Sequence, residues 1–149
     1  MILADVNVLI YAFRRDVPRH HICHAWLADV VAGDARFGVS PLALSAVVRI
    51  TSSPRFYKMP SPIAEAFGFC EYLVTQPNCQ VVEPGERHWE IFKRLCVETD
   101  TRGPLTTDAW FAALAIEWGC EWITFDRDFA RFPGLKWQVP AAPAERRKN

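Results

Sequence analysis

Short apolar runs alternate with longer helical segments along this chain, and that alternation restricts its fold more than any other feature. Ile2 to Ala4 reads as a buried strand that passes through Asp5 into a helix, Val6 to Phe13. From His20 to Val31, apolar residues at Cys23, Trp26, Leu27, Val30 and Val31 keep helical spacing, and Gly33 supplies a stop. Arg36 to Val39 is a second strand, after which Ser40 and Pro41 open a helix that ends near Ser52 to Pro54. A helix over Ser61 to Thr75, a strand over Cys79 to Val82, and helices over Glu86 to Glu98 and Thr106 to Trp118 follow. Glu121 to Phe125 is a further strand, Asp126 to Phe132 a short helical turn, and Lys136 to Val139 an edge strand. Strands that alternate with helices predict an α/β fold with a mainly parallel sheet covered on both faces.

That architecture gathers scattered aspartates. Asp5 and Asp126 each follow a strand directly, so both fall at the carboxyl edge of the sheet, where α/β folds bind ligands at a reversal of strand order. Asp108 begins the helix that returns to the strand Glu121 to Phe125, which brings its first turn to the same edge. Asp128, two residues beyond Asp126, can join them. A carboxylate beside a buried strand costs free energy unless it is paired, hydrogen-bonded or on a metal, so several in one place imply a cation. An all-oxygen donor set favours Mg²⁺ or Mn²⁺, and such an ion activates water and stabilises a leaving oxygen in phosphodiester hydrolysis. Plainer readings exist for single residues: Asp108 as a helix cap, Asp126 and Asp128 as turn formers. Asp5, between ILA and VNVLIYAF, has few polar neighbours to account for it. Thr107 and Thr124 are candidates to orient a water, with capping and core packing as their plainer roles.

Composition narrows the class. The chain has 149 residues, enough for one domain, with 17 basic residues against 17 acidic ones, so any nucleic-acid contact needs a local basic patch. Five cysteines with no CxxC pair suggest buried thiols in a reducing compartment. The start MILADVNVL lacks the basic segment of a signal peptide, and the most apolar helix is halted by Glu117, short of the ~20 residues that span a bilayer. A cytoplasmic protein with no membrane association is expected. The end, residues 141–149, reads as a flexible basic tail on a domain covering residues 1–140.

DVNVLIYAF at Asp5, PLALSAVVRITSSPRF, TDAWFAALAIEWGCEWITFDRDF and the closing RFPGLKW together resemble a PIN-domain ribonuclease of the VapC toxin type. The resemblance runs to Val139 with its motifs in order. It implies a three-layer α/β/α sandwich and Mg²⁺- or Mn²⁺-dependent endoribonuclease action, with a structured tRNA or ribosomal RNA loop as the first guess for substrate. It further implies a homodimer and inhibition by a VapB-type antitoxin. Its acidic residues map onto Asp5, Asp108 and Asp126, with Asp128 as an accessory. One position departs: where many relatives place a glutamate three residues before an arginine, this chain has Ala46 before Arg49. Loss of that acid predicts weaker metal binding and fewer metal positions.

Candidate substrate contacts are Arg14, Arg15 and Arg19 in the first loop, Arg49, Arg55 and Lys58 around the end of the third helix, and Arg127. Phe56 and Tyr57 are placed to stack bases or to join the core. His20 and His24 sit at helical spacing, but no glutamate stands beside them, and a solvated helix start is the plainer reading than a zinc shell. Two rival functions remain open at this level. A haloacid-dehalogenase-type phosphatase would use Asp5 as nucleophile but needs a second acid where this chain has Asn7. A binding module that has lost its chemistry would be consistent with Ala46.

Overall fold

The computed structural model describes residues 1–141. The expected basic tail lies outside these residues except for Ala141. Strands β1 (Ile2–Ala4), β2 (Phe37–Val39), β3 (Cys79–Val81), β4 (Glu121–Ile123) and β5 (Trp137–Gln138) form one sheet in the order β3-β2-β1-β4-β5. All four pairings are parallel, including that of the edge strand β5. The helices are α1 (Val6–Phe13), α2 (His20–Ala32), α3 (Pro41–Thr51), α4 (Ile63–Val74), α5 (His88–Thr99) and α6 (Thr106–Trp118). Two short 3-10 turns, Gly103–Leu105 and Arg127–Arg131, precede α6 and follow β4. The first of these turns was not anticipated from the sequence. Strand β1 has the expected bounds, and the other four strands are one or two residues shorter than the apolar runs that announced them.

Alternation along the strands divides the core. Leu3 and Trp122 point to one face, where α5 and α6 cover them with Ile91, Leu95, Phe111 and Leu114. Ala4 and Ile123 point to the other, packed with Val8, Ile10, Trp26, Leu27, Val47 and Leu73 from α1 to α4. A three-layer α/β/α sandwich results, because parallel strands need both faces buried. Helix α6 is buried along Ala109 and Phe111 to Ala115 and ends at Gly119, whose φ of 65° suits a left-handed cap. This small-residue helix lies close to the sheet and carries Asp108 in its first turn.

The chain runs from β1 outward to β2 and β3, then crosses back to place β4 on the other side of β1. Strand order therefore reverses between β1 and β4. The backbone N–H of Asp5 donates to the Ile123 carbonyl at 2.8 Å, which locks the two strand ends together. A crevice at this position is where such sheets receive ligands.

Candidate metal centre

Asp5 stands at the end of β1, at this reversal of strand order. It sits between β1 and α1 without capping α1 through its side chain. Instead its Oδ2 accepts a 2.7 Å hydrogen bond from the Thr124 hydroxyl, across 119 positions of sequence. Thr124 is fully buried, and its Oγ1 also accepts from the Asp126 backbone N–H at 3.0 Å. Asp126 in turn accepts from the Asp128 backbone N–H at 2.9 Å, which closes the turn after β4. One hydroxyl thus orients Asp5 and fixes the start of the turn bearing Asp126. Threonine suits both tasks because its oxygen donates and accepts.

Charge accumulates here. Burial pushes the Asp5 carboxyl up to about 6, against the Thr124 hydrogen bond, and Asp108 and Asp126 push it the same way. Asp108 is also raised, by burial first and then by Asp126, while Arg131 pulls it back down. Asp108 lies in the first turn of α6, and its Oδ2 lies 3.8 Å from Nη2 of Arg131. Asp126 and Asp128 are exposed at the rim.

Among the described residues no three Asp, Glu, His or Cys side chains close on one point as a finished cage. Asp5, Asp108 and Asp126 nonetheless feel one another's charge, and the donors are all carboxylate oxygens. A hydrated divalent ion held by one or two carboxylates fits this open arrangement, because such ions retain waters and take further oxygens from a substrate. Helix α3 adds no acid: Ala46 is half-buried at the position where a glutamate was looked for.

Other expected contacts fall in varied places. Arg14 is buried and its donors are engaged inside the protein, by Asp16, by the Ser61 hydroxyl at 3.1 Å and by the Met59 carbonyl at 3.0 Å. Its guanidinium also lies 3.8 Å from the centre of the Tyr57 ring. Arg14 is thereby a structural clamp, contrary to its expected exposure, and Tyr57 is its platform. Arg15, Arg49 and Arg127 are exposed. Arg19 stacks 4.1 Å from the centre of the Phe125 ring, beside Thr124 and Asp126 in sequence, and so stands nearer the site than its loop position suggested. His20 uses Nδ1 on the Tyr11 carbonyl at 2.9 Å, which gives it a structural partner.

Sequence reasoning ranked Thr124 as a core residue and passed over Arg131. The signal for Thr124 was its place between a strand and Asp126. For Arg131 it was a basic residue between Phe129 and Phe132 in a turn that already carried two acids.

A parallel α/β sandwich with carboxylates at its strand-order reversal offers the oxygen donors that a divalent cation takes. The sequence profile of the PIN domain family matches residues 2–135. Ribonuclease VapC25 of Mycobacterium tuberculosis is 40% identical over 136 residues, covering 91% of this chain and 96% of that protein. Ribonuclease VapC33 of the same species is 39% identical over 140 residues, covering 94% and 98%. The chain belongs to the PIN domain family. Among solved structures, VapBC2 of Rickettsia felis, bound to a promoter DNA fragment, matches with a TM-score of 0.69 at 14% identity over 93% of this chain and 98% of that one. VapC20 of Mycobacterium tuberculosis, described as a sarcin-ricin loop cleaving toxin, matches with a TM-score of 0.67 at 16% identity, covering 91% and 99%. These two likenesses concern the fold.

Proposed function

We propose that this chain is a divalent-metal-dependent endoribonuclease, the toxin of a toxin–antitoxin pair, acting in the cytoplasm and restrained by a VapB-type antitoxin. The observation that carries this reading is the hydrogen-bonded set of Asp5, Thr124 and Asp126 at the reversal between β1 and β4, with the charge of Asp108 felt at Asp5. The names of the relatives, ribonucleases of the VapC type, support it independently.

Asp5 and Asp108 would hold the ion directly or through water, Asp126 would complete its surroundings, and Asp128 would add charge at the rim. Mg²⁺ or Mn²⁺ is the ion such oxygen donors select. When bound, it supplies activated water and charge stabilisation for phosphodiester hydrolysis, giving 5′-phosphate and 3′-hydroxyl ends. Thr124 holds one oxygen of the Asp5 carboxylate in place through its hydrogen bond. The exposed Arg15, Arg49 and Arg127, with Arg19, supply positive charge for RNA phosphates. No helix among the described residues is long and apolar enough to cross a membrane. The phosphatase alternative is disfavoured by Asn7, which stands where that chemistry needs an acid.

The test is cleavage of total cellular RNA by purified protein across a Mg²⁺ and Mn²⁺ titration. Cutting should require metal and fall by roughly a hundredfold or more in both Asp5→Asn and Asp108→Asn. Absence of cutting at every metal concentration, with no detectable Mn²⁺ binding, would mean that a chain lacking the acid at Ala46 acts by binding alone.

A further inference from the structure

Arg131 is the side chain whose surroundings least account for it. It lies at the end of the 3-10 turn after β4, with its guanidinium 4.8 Å from the centre of the Phe132 ring. Its Nε and Nη2 are buried and make no hydrogen bond. Those two nitrogens form the forked edge with which an arginine grips a carboxylate. Arg14 uses that edge on Asp16, and Arg102 uses it on Asp100 at 3.0 and 2.9 Å. In Arg131 the same edge is unfilled, and the nearest acid is Asp108, with Oδ2 at 3.8 Å from Nη2. Both side chains are partly open to solvent, at 30% exposure each, but the two unmet nitrogens are buried, and leaving them without a partner is costly, which favours the nearby carboxylate.

We infer that Arg131 is the internal counter-cation of Asp108, holding that carboxylate in the metal-free site so that a divalent ion must displace it to bind. This rests on the metal-dependent reading above and adds a positioning residue to it. The Asp108–Arg131 pair spans from the first turn of α6 to the turn after β4. A positive charge beside a ligand carboxylate opposes a second cation. The metal requirement is raised by this pairing in the same direction as by the missing acid at Ala46.

The experiment is Mn²⁺ binding by the full chain without RNA, read from the electron paramagnetic resonance signal of free Mn²⁺. Arg131→Gln should bind Mn²⁺ about tenfold more tightly than the unmodified protein. In the Asp108→Asn background the gain from the same substitution should be much smaller, because only the bare repulsion between Arg131 and the ion is left to remove. Unchanged or weaker Mn²⁺ binding in Arg131→Gln, or a gain that persists undiminished with Asp108→Asn, overturns the inference. The unmodified protein offers a second readout: the Arg131 Nε–H resonance should move as Mg²⁺ saturates the site, and a static resonance counts against displacement. If the unmodified protein binds no Mn²⁺, or if Asp5→Asn leaves its binding intact, the metal reading itself fails. Mn²⁺ binding that needs Asp5 but ignores Arg131 sinks only the inference.

Discussion

At Asp5 stability and function pull in opposite directions. Its carboxyl is pushed up to about 6 from 3.8, so between these values the folded protein holds a proton that the unfolded chain releases. The cost of ionising Asp5 in the fold is absent below about pH 4, grows through the window and is fully felt above pH 6. Metal-free protein should therefore lose stability as pH rises from 4 to 6, and Asp5→Asn should flatten that slope. At neutral pH the same variant should be more stable by about 2 kcal/mol, read from urea unfolding with a chelator present. Thr124→Val probes the opposing force. Loss of its hydroxyl removes the hydrogen bond that favours the charged form, so the Asp5 titration, followed by carboxyl-carbon NMR, should move higher. A titration that stays in place would mean that the hydroxyl serves the turn alone.

At the scale of elements, two joints hold the layers in place. Gly38, in the middle of β2, faces the Val82 side chain so closely that an added Cβ would stand 2.8 Å from Cγ2 and 3.3 Å from Leu3 Cδ1. Gly38→Ala should cost about 1 to 3 kcal/mol, since neither neighbour can withdraw without opening the face under α5 and α6. Arg14 ties the end of α1 to the loop before α4 through Asp16, Ser61 and the Met59 carbonyl. Arg14→Ala should destabilise by about 2 to 4 kcal/mol in urea, because it strands the Ser61 hydroxyl and the Met59 carbonyl and removes a half-embedded charge pair. Lysine should not rescue it, having no planar fork to engage Asp16 from Nε and Nη2 together.

The whole molecule links these scales through the ion. Anything that binds the folded chain and not the unfolded one raises its melting temperature by mass action. Mg²⁺ or Mn²⁺ should thus raise the Tm of this protein, by neutralising a charge that burial makes unfavourable. Asp5→Asn should melt at one temperature with or without metal. A Tm shift that survives in that variant would place the ion elsewhere. The sheet order supplies the framework for this coupling, since β1 and β4 end side by side although nearly the whole chain separates them.

Much was legible before any coordinates. Alternating apolar runs and helical spacing were enough to place the strands and helices, because burial on both faces of a parallel sheet leaves a periodic imprint on the chain. The positions of Asp5, Asp108 and Asp126 at element boundaries pointed to one edge for the same reason. Short-range patterns could not report which polar groups would meet across the fold. That Thr124 bonds Asp5, that Arg14 is buried over Tyr57, and that Arg131 keeps an unfilled fork beside Asp108 are consequences of packing between residues distant in sequence or in a tight turn. Hydrophobic periodicity is a property of each element alone, and it determined the layers. Hydrogen bonds and charge pairing depend on ångström distances between elements, and only the tertiary structure decided those.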